Sequence, residues 1–230
     1  SYHDFNAGLA TDGERLYTCD VELSYSPDGY LRCFDAESGD LLWSTMVGPA
    51  TTPLRAGMYV YIAGDNVYLS YYHYAGVACL CAYDGARVWA KGPLRDDYCI
   101  ASVSGFIVNG ECEKLVVPIS DSSGGEYLDY YRIYCFDALD GHILWHYDDD
   151  DDYAVWSTPA VTAAGRVYVG SDEGLLYCFD IEDGDVLWTF EVGNAIKSSP
   201  AVVGDRIYFG AYDGRVYCVG SRPPEVSIIT

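Results

Sequence analysis

Alternating apolar and polar positions divide the chain into short segments that are separated by turns rich in Gly and Asp. Between residues 185 and 192, Val, Trp, Phe and Val alternate with Leu, Thr and Glu. A period of two is typical of a β-strand that is buried mainly on one face. By the same reasoning, residues 154–192 are predicted to form four strands, at 154–162, 166–170, 175–180 and 185–192.

This four-strand unit recurs along the chain. Four segments align without gaps, with Gly four residues before Trp and Cys ten residues before it. They are Cys33–Trp43, Cys79–Trp89, Cys135–Trp145 and Cys178–Trp188. A fifth unit repeats the Cys at Cys218, but Gly-Ser-Arg-Pro-Pro follows in place of the stretch that leads to Trp.

Repetition of a small sheet predicts an all-β fold, a β-propeller of about five four-stranded antiparallel blades. One such sheet cannot bury both faces, whereas sheets repeated around an axis pack against one another. The blades are predicted near residues 5–49, 50–96, 97–151, 152–193 and 194–222. Residues 223–230 are predicted to form a strand that closes the last blade or leads to a next domain or subunit.

The repeated motif resembles the PQQ-like β-propeller repeat. Tyr177-Cys-Phe-Asp, with Gly184 and Trp188, is followed by Ser-Ser-Pro-Ala-Val and then by Ile-Tyr-Phe-Gly. That family includes quinoprotein dehydrogenases and non-catalytic scaffolds of the BamB type. The resemblance implies that Trp43, Trp89, Trp145 and Trp188 are structural docking residues, each packed against the neighbouring blade.

The cysteines divide into two groups. Five recur at equivalent positions in apolar strands, which favours small buried side chains that lie too far apart to pair. They are Cys33, Cys79, Cys135, Cys178 and Cys218. Cys99 and Cys112 instead flank a predicted hairpin and are candidates for a disulfide across it.

Two surface features are candidate binding sites. Asp148, Asp149, Asp150, Asp151 and Asp152 form an acidic run, which is either a solvated loop or a source of oxygen ligands for calcium. Two Tyr-rich hairpins lengthen blades two and three, and exposed Tyr can stack on a glycan or anchor a protein partner. Their candidate contact residues are Tyr71, Tyr72, Tyr74, Tyr130 and Tyr131.

Charge and composition restrict the partners. The chain carries 35 acidic and 13 basic residues, a formal net charge of −22. Such a chain repels nucleic acid and anionic membrane surfaces, and no apolar run is long enough to span a membrane. Together with the Ser1 start, the acidic composition favours an extracellular, periplasmic or cell-surface location.

The sequence supports a non-catalytic structural or protein-interaction module, which could also self-assemble at a surface or in a filament. No cofactor is predicted beyond calcium, because no nucleophile elbow, P-loop or histidine triad is present. Two alternatives stay open at this stage. One is a PQQ- and calcium-dependent quinoprotein dehydrogenase, which the resemblance allows, and the other is a glycan-binding propeller.

Overall fold

The computed structural model describes residues 9–21, 29–47, 59–71, 76–91, 103–120, 131–149, 157–220 and 226–229. In these ranges the regular secondary structure consists of strands, and the strands form five four-stranded antiparallel sheets. The all-β, propeller-like blade architecture predicted from the sequence is therefore confirmed.

Each sheet forms one blade, and in all five sheets each strand pairs with the strands that precede and follow it in the chain. Blade one contains β1 (Leu9–Thr11), β2 (Arg15–Val21), β3 (Gly29–Asp35) and β4 (Leu41–Val47). Blade two contains β5 (Tyr59–Ala63), β6 (Asn66–Tyr71), β7 (Gly76–Cys81) and β8 (Arg87–Lys91). Blade three contains β9 (Ser104–Val108), β10 (Glu111–Ser120), β11 (Tyr131–Asp137) and β12 (Ile143–Asp149).

Blade four contains β13 (Ala160–Val161), β14 (Arg166–Gly170), β15 (Leu175–Asp180) and β16 (Val186–Glu191). Blade five contains β17 (Ala201–Val203), β18 (Arg206–Gly210), β19 (Val216–Gly220) and β20 (Val226–Ile229). Because β20 pairs antiparallel with β19, the segment after the Pro-Pro sequence supplies the fourth strand of blade five.

The innermost strand of blade four is shorter than the 154–162 segment predicted from the sequence, and its described part is Ala160–Val161. Before this strand, the side chain of Ser157 takes the place of the backbone hydrogen bonds that would pair it with β14. The Ser157 hydroxyl accepts a hydrogen bond from the Gly170 amide at 2.8 Å and donates one to the Gly170 carbonyl at 3.2 Å. Ser198 makes the same pair of bonds with Gly210 in blade five, at 2.7 and 3.0 Å. The Ser-x-Pro sequence therefore marks the start of an inner strand, where Pro cannot donate to a ladder.

The hydrophobic core lies between blades and is divided into four clusters, which join blades one and two, two and three, three and four, and four and five. The first cluster packs Tyr17, Leu31 and Cys33 of blade one against Leu69 and Leu80 of blade two. No cluster among the described residues joins blade five to blade one. Each blade therefore depends on its neighbour in the chain for the burial of one face.

Candidate functional site: the tryptophan sockets and the outer rim

The turn between the third and fourth strands has the same construction in successive blades. In blade one, the Asp35 carboxylate accepts hydrogen bonds from the amides of Glu37 and Ser38 at 3.0 and 2.7 Å. Gly39 closes the turn with a φ of 76°, a conformation that L-residues rarely adopt. The Asp and Gly of the repeated motif are thus turn residues. The turn exposes the glycine and the backbone carbonyl of the residue after the Asp at the side of the blade.

In three blades this turn receives an indole from the preceding blade, and we call the carbonyl and glycine that surround the indole a tryptophan socket. Nε1–H of each Trp donates to the socket carbonyl. The three pairs are Trp43 with Ala82 at 3.1 Å, Trp89 with Ala138 at 3.0 Å, and Trp145 with Ile181 at 2.8 Å. These bonds fix the register between neighbouring sheets and satisfy indole donors that packing has removed from water.

The socket glycine lies directly against the indole. A Cβ atom added to Gly85 would lie 2.5 Å from Cε3 of Trp43, and one added to Gly141 would lie 2.5 Å from Cε3 of Trp89. Real Cβ atoms essentially never approach another heavy atom so closely. Glycine is therefore required at this position of the repeat, because the Trp of the preceding blade packs directly against it.

Two positions depart from this pattern. In blade two Cys81 stands where the other turns have Asp, and the turn still forms through the bond from the Gly85 amide to the Cys81 carbonyl at 3.0 Å. Trp188 packs into the cluster between blades four and five, with its ring 5.9 Å from that of Tyr168. The segment of blade five that corresponds to its socket falls within residues 221–225, outside the described residues.

Four of the five repeated cysteines lie inside the inter-blade clusters, namely Cys33, Cys79, Cys135 and Cys178. Burial raises the pKa of the Cys79 and Cys135 thiols to about 12 and that of Cys178 to about 11. These thiols are protonated at neutral pH, whereas nucleophilic catalysis requires the thiolate. Their arrangement is that of core side chains.

The buried thiols predict a loss of stability in alkali. Their folded-state pKa is raised above the ordinary value of 9.0, so their contribution to stability is complete below pH 9 and is lost as the pH rises toward 11 or 12. We expect the urea midpoint, followed by circular dichroism, to be flat from pH 7 to 8 and to fall above pH 9. Cys135→Ala should reduce the fall of the urea midpoint above pH 9. An unchanged fall would contradict a raised pKa of the buried Cys135 thiol as one of its causes.

The acidic run lies at the end of β12. Asp148 and Asp149 belong to this strand, while Asp150, Asp151 and Asp152 are outside the described residues. Oδ2 of Asp148 is 3.3 Å from Nε2 of His146. Across the described ranges, no three His, Cys, Asp or Glu side chains are grouped closely enough to hold a metal ion. Calcium binding by the whole run stays a prediction.

The structure places the other sequence-predicted residues only in part. Tyr71 ends β6 and Tyr131 begins β11, and Tyr72, Tyr74 and Tyr130 lie outside the described residues. Cys112 lies near the start of β10, where its sulfur is 3.5 Å from the Lys114 carbonyl. Its proposed partner Cys99 is outside the described residues, so the disulfide also stays a prediction.

Sequence reasoning missed a surface on the outermost strands. Exposed aliphatic side chains precede the repeated Trp in four blades, and we call them the outer rim: Leu41, Leu42, Val88, Ile143, Leu144, Val186 and Leu187. Their exposed fractions lie between 38% and 52%. The signal was present in the repeat as an apolar residue directly before each Trp, with a second apolar residue before it in blades one, three and four. However, its solvent exposure could not be read from alternation alone.

A second feature that the sequence did not reveal is an acidic cleft of about 650 Å³ between blades two and three. Its walls include Asp65, Glu111, Glu113 and Asp137, with Lys114 as a basic residue. Lys114 already forms an ion pair with Glu182 of blade four. The cleft therefore presents mainly negative charge and is suited to a cationic group.

These features define the class of the protein, a β-propeller built from PQQ-like repeats with tryptophan-docked blades. Residues 27–164 and 129–221 match the family described as outer membrane protein assembly factor BamB. The chain belongs to this family. Among curated proteins, no sequence matches the chain significantly.

Solved structures show the same fold at low sequence identity. BamB from Moraxella catarrhalis superposes with a TM-score of 0.66 at 19% identity, over 96% of this chain and 59% of that one. The computationally designed Ika8 protein gives 0.69 at 16%, over 96% and 60% of the two chains. Quinohemoprotein alcohol dehydrogenase from Comamonas testosteroni gives 0.73 at 12%, over 97% and 42%. This chain spans about two fifths to three fifths of the length of these proteins.

No helix among the described residues is long and apolar enough to cross a membrane.

Proposed function

We propose that the protein is a non-catalytic protein-binding module that acts outside the cytoplasm and holds its partner at the outer rim. The observation that carries this proposal is the recurrence of exposed aliphatic residues on the outermost strands of four successive blades. Single exposed apolar residues are common on proteins, whereas a set that recurs at the same position of successive repeats is typical of an interaction surface.

The outer rim is also a row of sheet edges. β4, β8, β12 and β16 are each the last strand of their sheet, and each pairs with only one neighbour in it. A free edge can accept an extended segment of a partner through main-chain hydrogen bonds, while side-chain contacts give specificity. Leu144 and Leu187 would supply such apolar contacts beside the edges of β12 and β16.

Charge indicates the character of the partner. The net charge of −22 and the acidic walls of the cleft between blades two and three favour a partner with a basic surface. Family membership supports the same class of function, because the family takes its name from a factor in the assembly of outer membrane proteins. That name also supports a location outside the cytoplasm for this chain.

The test places a photo-crosslinking amino acid at Leu144 or Leu187, in the cells that naturally produce the protein. We expect a discrete adduct with one partner from the rim positions. The matched control is Val203, an apolar residue of β17 that is more exposed than either rim residue. Binding of the purified partner should then fall at least tenfold in Leu144→Lys, because a rim contact becomes a charged side chain.

Two outcomes would contradict the proposal. One is equal crosslinking at Val203 and at the rim positions, which would indicate nonspecific contact. The other is substrate oxidation by the purified chain after addition of PQQ and calcium, which would establish the dehydrogenase alternative instead.

A further inference from the structure

A basic residue recurs at one position on the second strand of the blades. In blades one, three and four it pairs across the sheet with the Asp of the turn, and in blade five it pairs with Gly220. The four basic residues are Arg15, Lys114, Arg166 and Arg206. Blade two departs from this pattern, because Asn66 holds the position there and pairs with Cys81. Blade two therefore lacks a cation that the other four blades have.

At two junctions this cation contacts the neighbouring blade. The guanidinium of Arg15 lies over the ring of Tyr83, 4.5 Å from its centroid, and Tyr83 belongs to the turn after the third strand of blade two. Lys114 of blade three forms an ion pair with Glu182, which holds the same position in the turn of blade four. We call each of these contacts an inter-blade clasp, made by a basic residue of one blade and a turn residue of the next.

The junction between blades two and three has different residues at the clasp positions. They are Asn66 and Leu139, which carry no charge. Leu139 is 82% exposed. The acidic cleft of about 650 Å³ opens at this junction, and both residues line it. The cleft therefore lies where the repeat pattern places a cation and this chain does not supply one.

The walls of the cleft are acidic. Asp65, Glu111 and Glu113 are exposed, and Asp137 is half-buried. Among the described residues that line the cleft, Lys114 is the one basic residue, and its ammonium is already paired with a carboxylate of blade four. A cation that enters the cleft would therefore gain attraction and also relieve repulsion between the carboxylates.

An arginine side chain fits the cleft better than a metal ion does. Calcium needs several oxygen ligands around one point. Within the described ranges, no three His, Cys, Asp or Glu side chains are grouped in this way. A guanidinium instead has several N–H donors in a planar fork and can bind carboxylates that lie apart. Its aliphatic stem can pack along Leu139 and Leu144, which are exposed apolar residues of the cleft lining.

We propose that the cleft between blades two and three binds an arginine side chain of the protein partner, whose guanidinium supplies the cation that blade two lacks. The inference rests on the proposed function, because Leu144 belongs both to the outer rim and to the cleft lining. A partner segment that contacts the rim at Leu144 is therefore already beside the cleft. Its arginine completes from outside the clasp that Arg15 and Lys114 complete from within the chain.

The first test titrates N-acetylarginine amide, as a probe, into the isotope-labelled chain. We expect saturable shifts of the backbone amide resonances of Gly64 and Glu113, which line the cleft. N-acetylcitrulline amide is the matched control, because it has nearly the same shape without the charge. Another acidic cleft, lined by Asp172, Glu173 and Glu191, controls for nonspecific attraction, and the Glu173 amide should not shift.

The second test places the missing cation in the chain itself. Asn66→Arg should weaken binding of the arginine probe roughly tenfold, because the new side chain competes for the same carboxylates. The urea midpoint of this variant should not fall, since four other blades carry a basic residue at the position. Asn66→Gln is the control and should leave probe binding unchanged. Glu113→Gln removes one exposed wall carboxylate and should also weaken binding.

Equal shifts with the arginine and citrulline probes would overturn the inference, as would equal shifts at Glu173 or undiminished binding to Asn66→Arg. The rim partner tests the proposed function separately. Partner binding that is lost in Leu187→Lys but unchanged in Asn66→Arg and Glu113→Gln would retain the rim and overturn the arginine site. Probe binding in the cleft without crosslinking at Leu144 or Leu187 would support the arginine site and contradict the proposed function alone.

Discussion

Replacing Trp145 by Ala is expected to lower the free energy of unfolding by about 3–5 kcal/mol, the usual cost of truncating a buried Trp. Trp145 is 8% exposed and packs against Phe179 with 6.5 Å between ring centroids. The substitution would remove this packing and leave the Ile181 carbonyl without its 2.8 Å hydrogen bond. Urea denaturation followed by circular dichroism measures the change.

Two variants of the same strand separate the causes. Leu144→Ala changes the neighbouring rim residue, which is 42% exposed, and should alter stability by no more than about 0.5 kcal/mol. Trp145→Phe keeps an aromatic ring but loses the indole donor. Its loss of unfolding free energy should therefore lie between those of Trp145→Ala and Leu144→Ala. If Trp145→Ala costs no more than Leu144→Ala, the socket does not stabilise the contact between blades three and four.

The second large effect is expected at the socket glycines. Gly141→Ala forces an L-residue to a φ of 71° and places its Cβ 2.5 Å from Trp89, so the indole must move. Backbone strain of about 1–2 kcal/mol adds to about 1–3 kcal/mol for overpacking, which gives a loss of roughly 2–5 kcal/mol. Thermal or urea unfolding of the purified variant checks this value.

Gly39→Ala is the matched control, since Gly39 has a similar φ of 76° but no described residue lies within 4 Å of an added Cβ. It should cost only the strain term of about 1–2 kcal/mol. The difference between the two variants therefore reports whether an indole fills the socket. Equal losses would mean that the contact between the added Cβ at Gly141 and Trp89 relaxes at no cost.

Local features of the blades could be predicted from the sequence because they depend on residues close together in the chain. The second and third strands of blade four were predicted at 166–170 and 175–180, where the structure has β14 and β15. The Asp-to-Gly turns could be recognised for the same reason. By contrast, the first strand was predicted too long because alternation continues through Ser157 and Pro159, whose hydrogen bonding differs from that of a ladder.

The candidate sites were less accessible to sequence reasoning. The Trp residues stood out because they recur, and recurrence at one position per blade indicates a shared packing role. The outer rim was missed because Leu42 and Leu144 look like core residues in the pattern, although each lies at the outer edge of its sheet. The acidic cleft joins Asp65 with Glu111, residues that are far apart in the chain and meet only when blades two and three pack.

The sequence by itself determined the repeating unit, its strands and turns, and the Gly and Trp that form each socket, because these features arise from contacts within or between adjacent repeats. Only the tertiary structure decided which sockets are filled. At Gly85 an added Cβ would lie 2.5 Å from Trp43, whereas at Gly39 none of the described residues comes within 4 Å of an added Cβ. Burial is a property of the neighbour as well as of the residue, so identical repeats can have different surroundings.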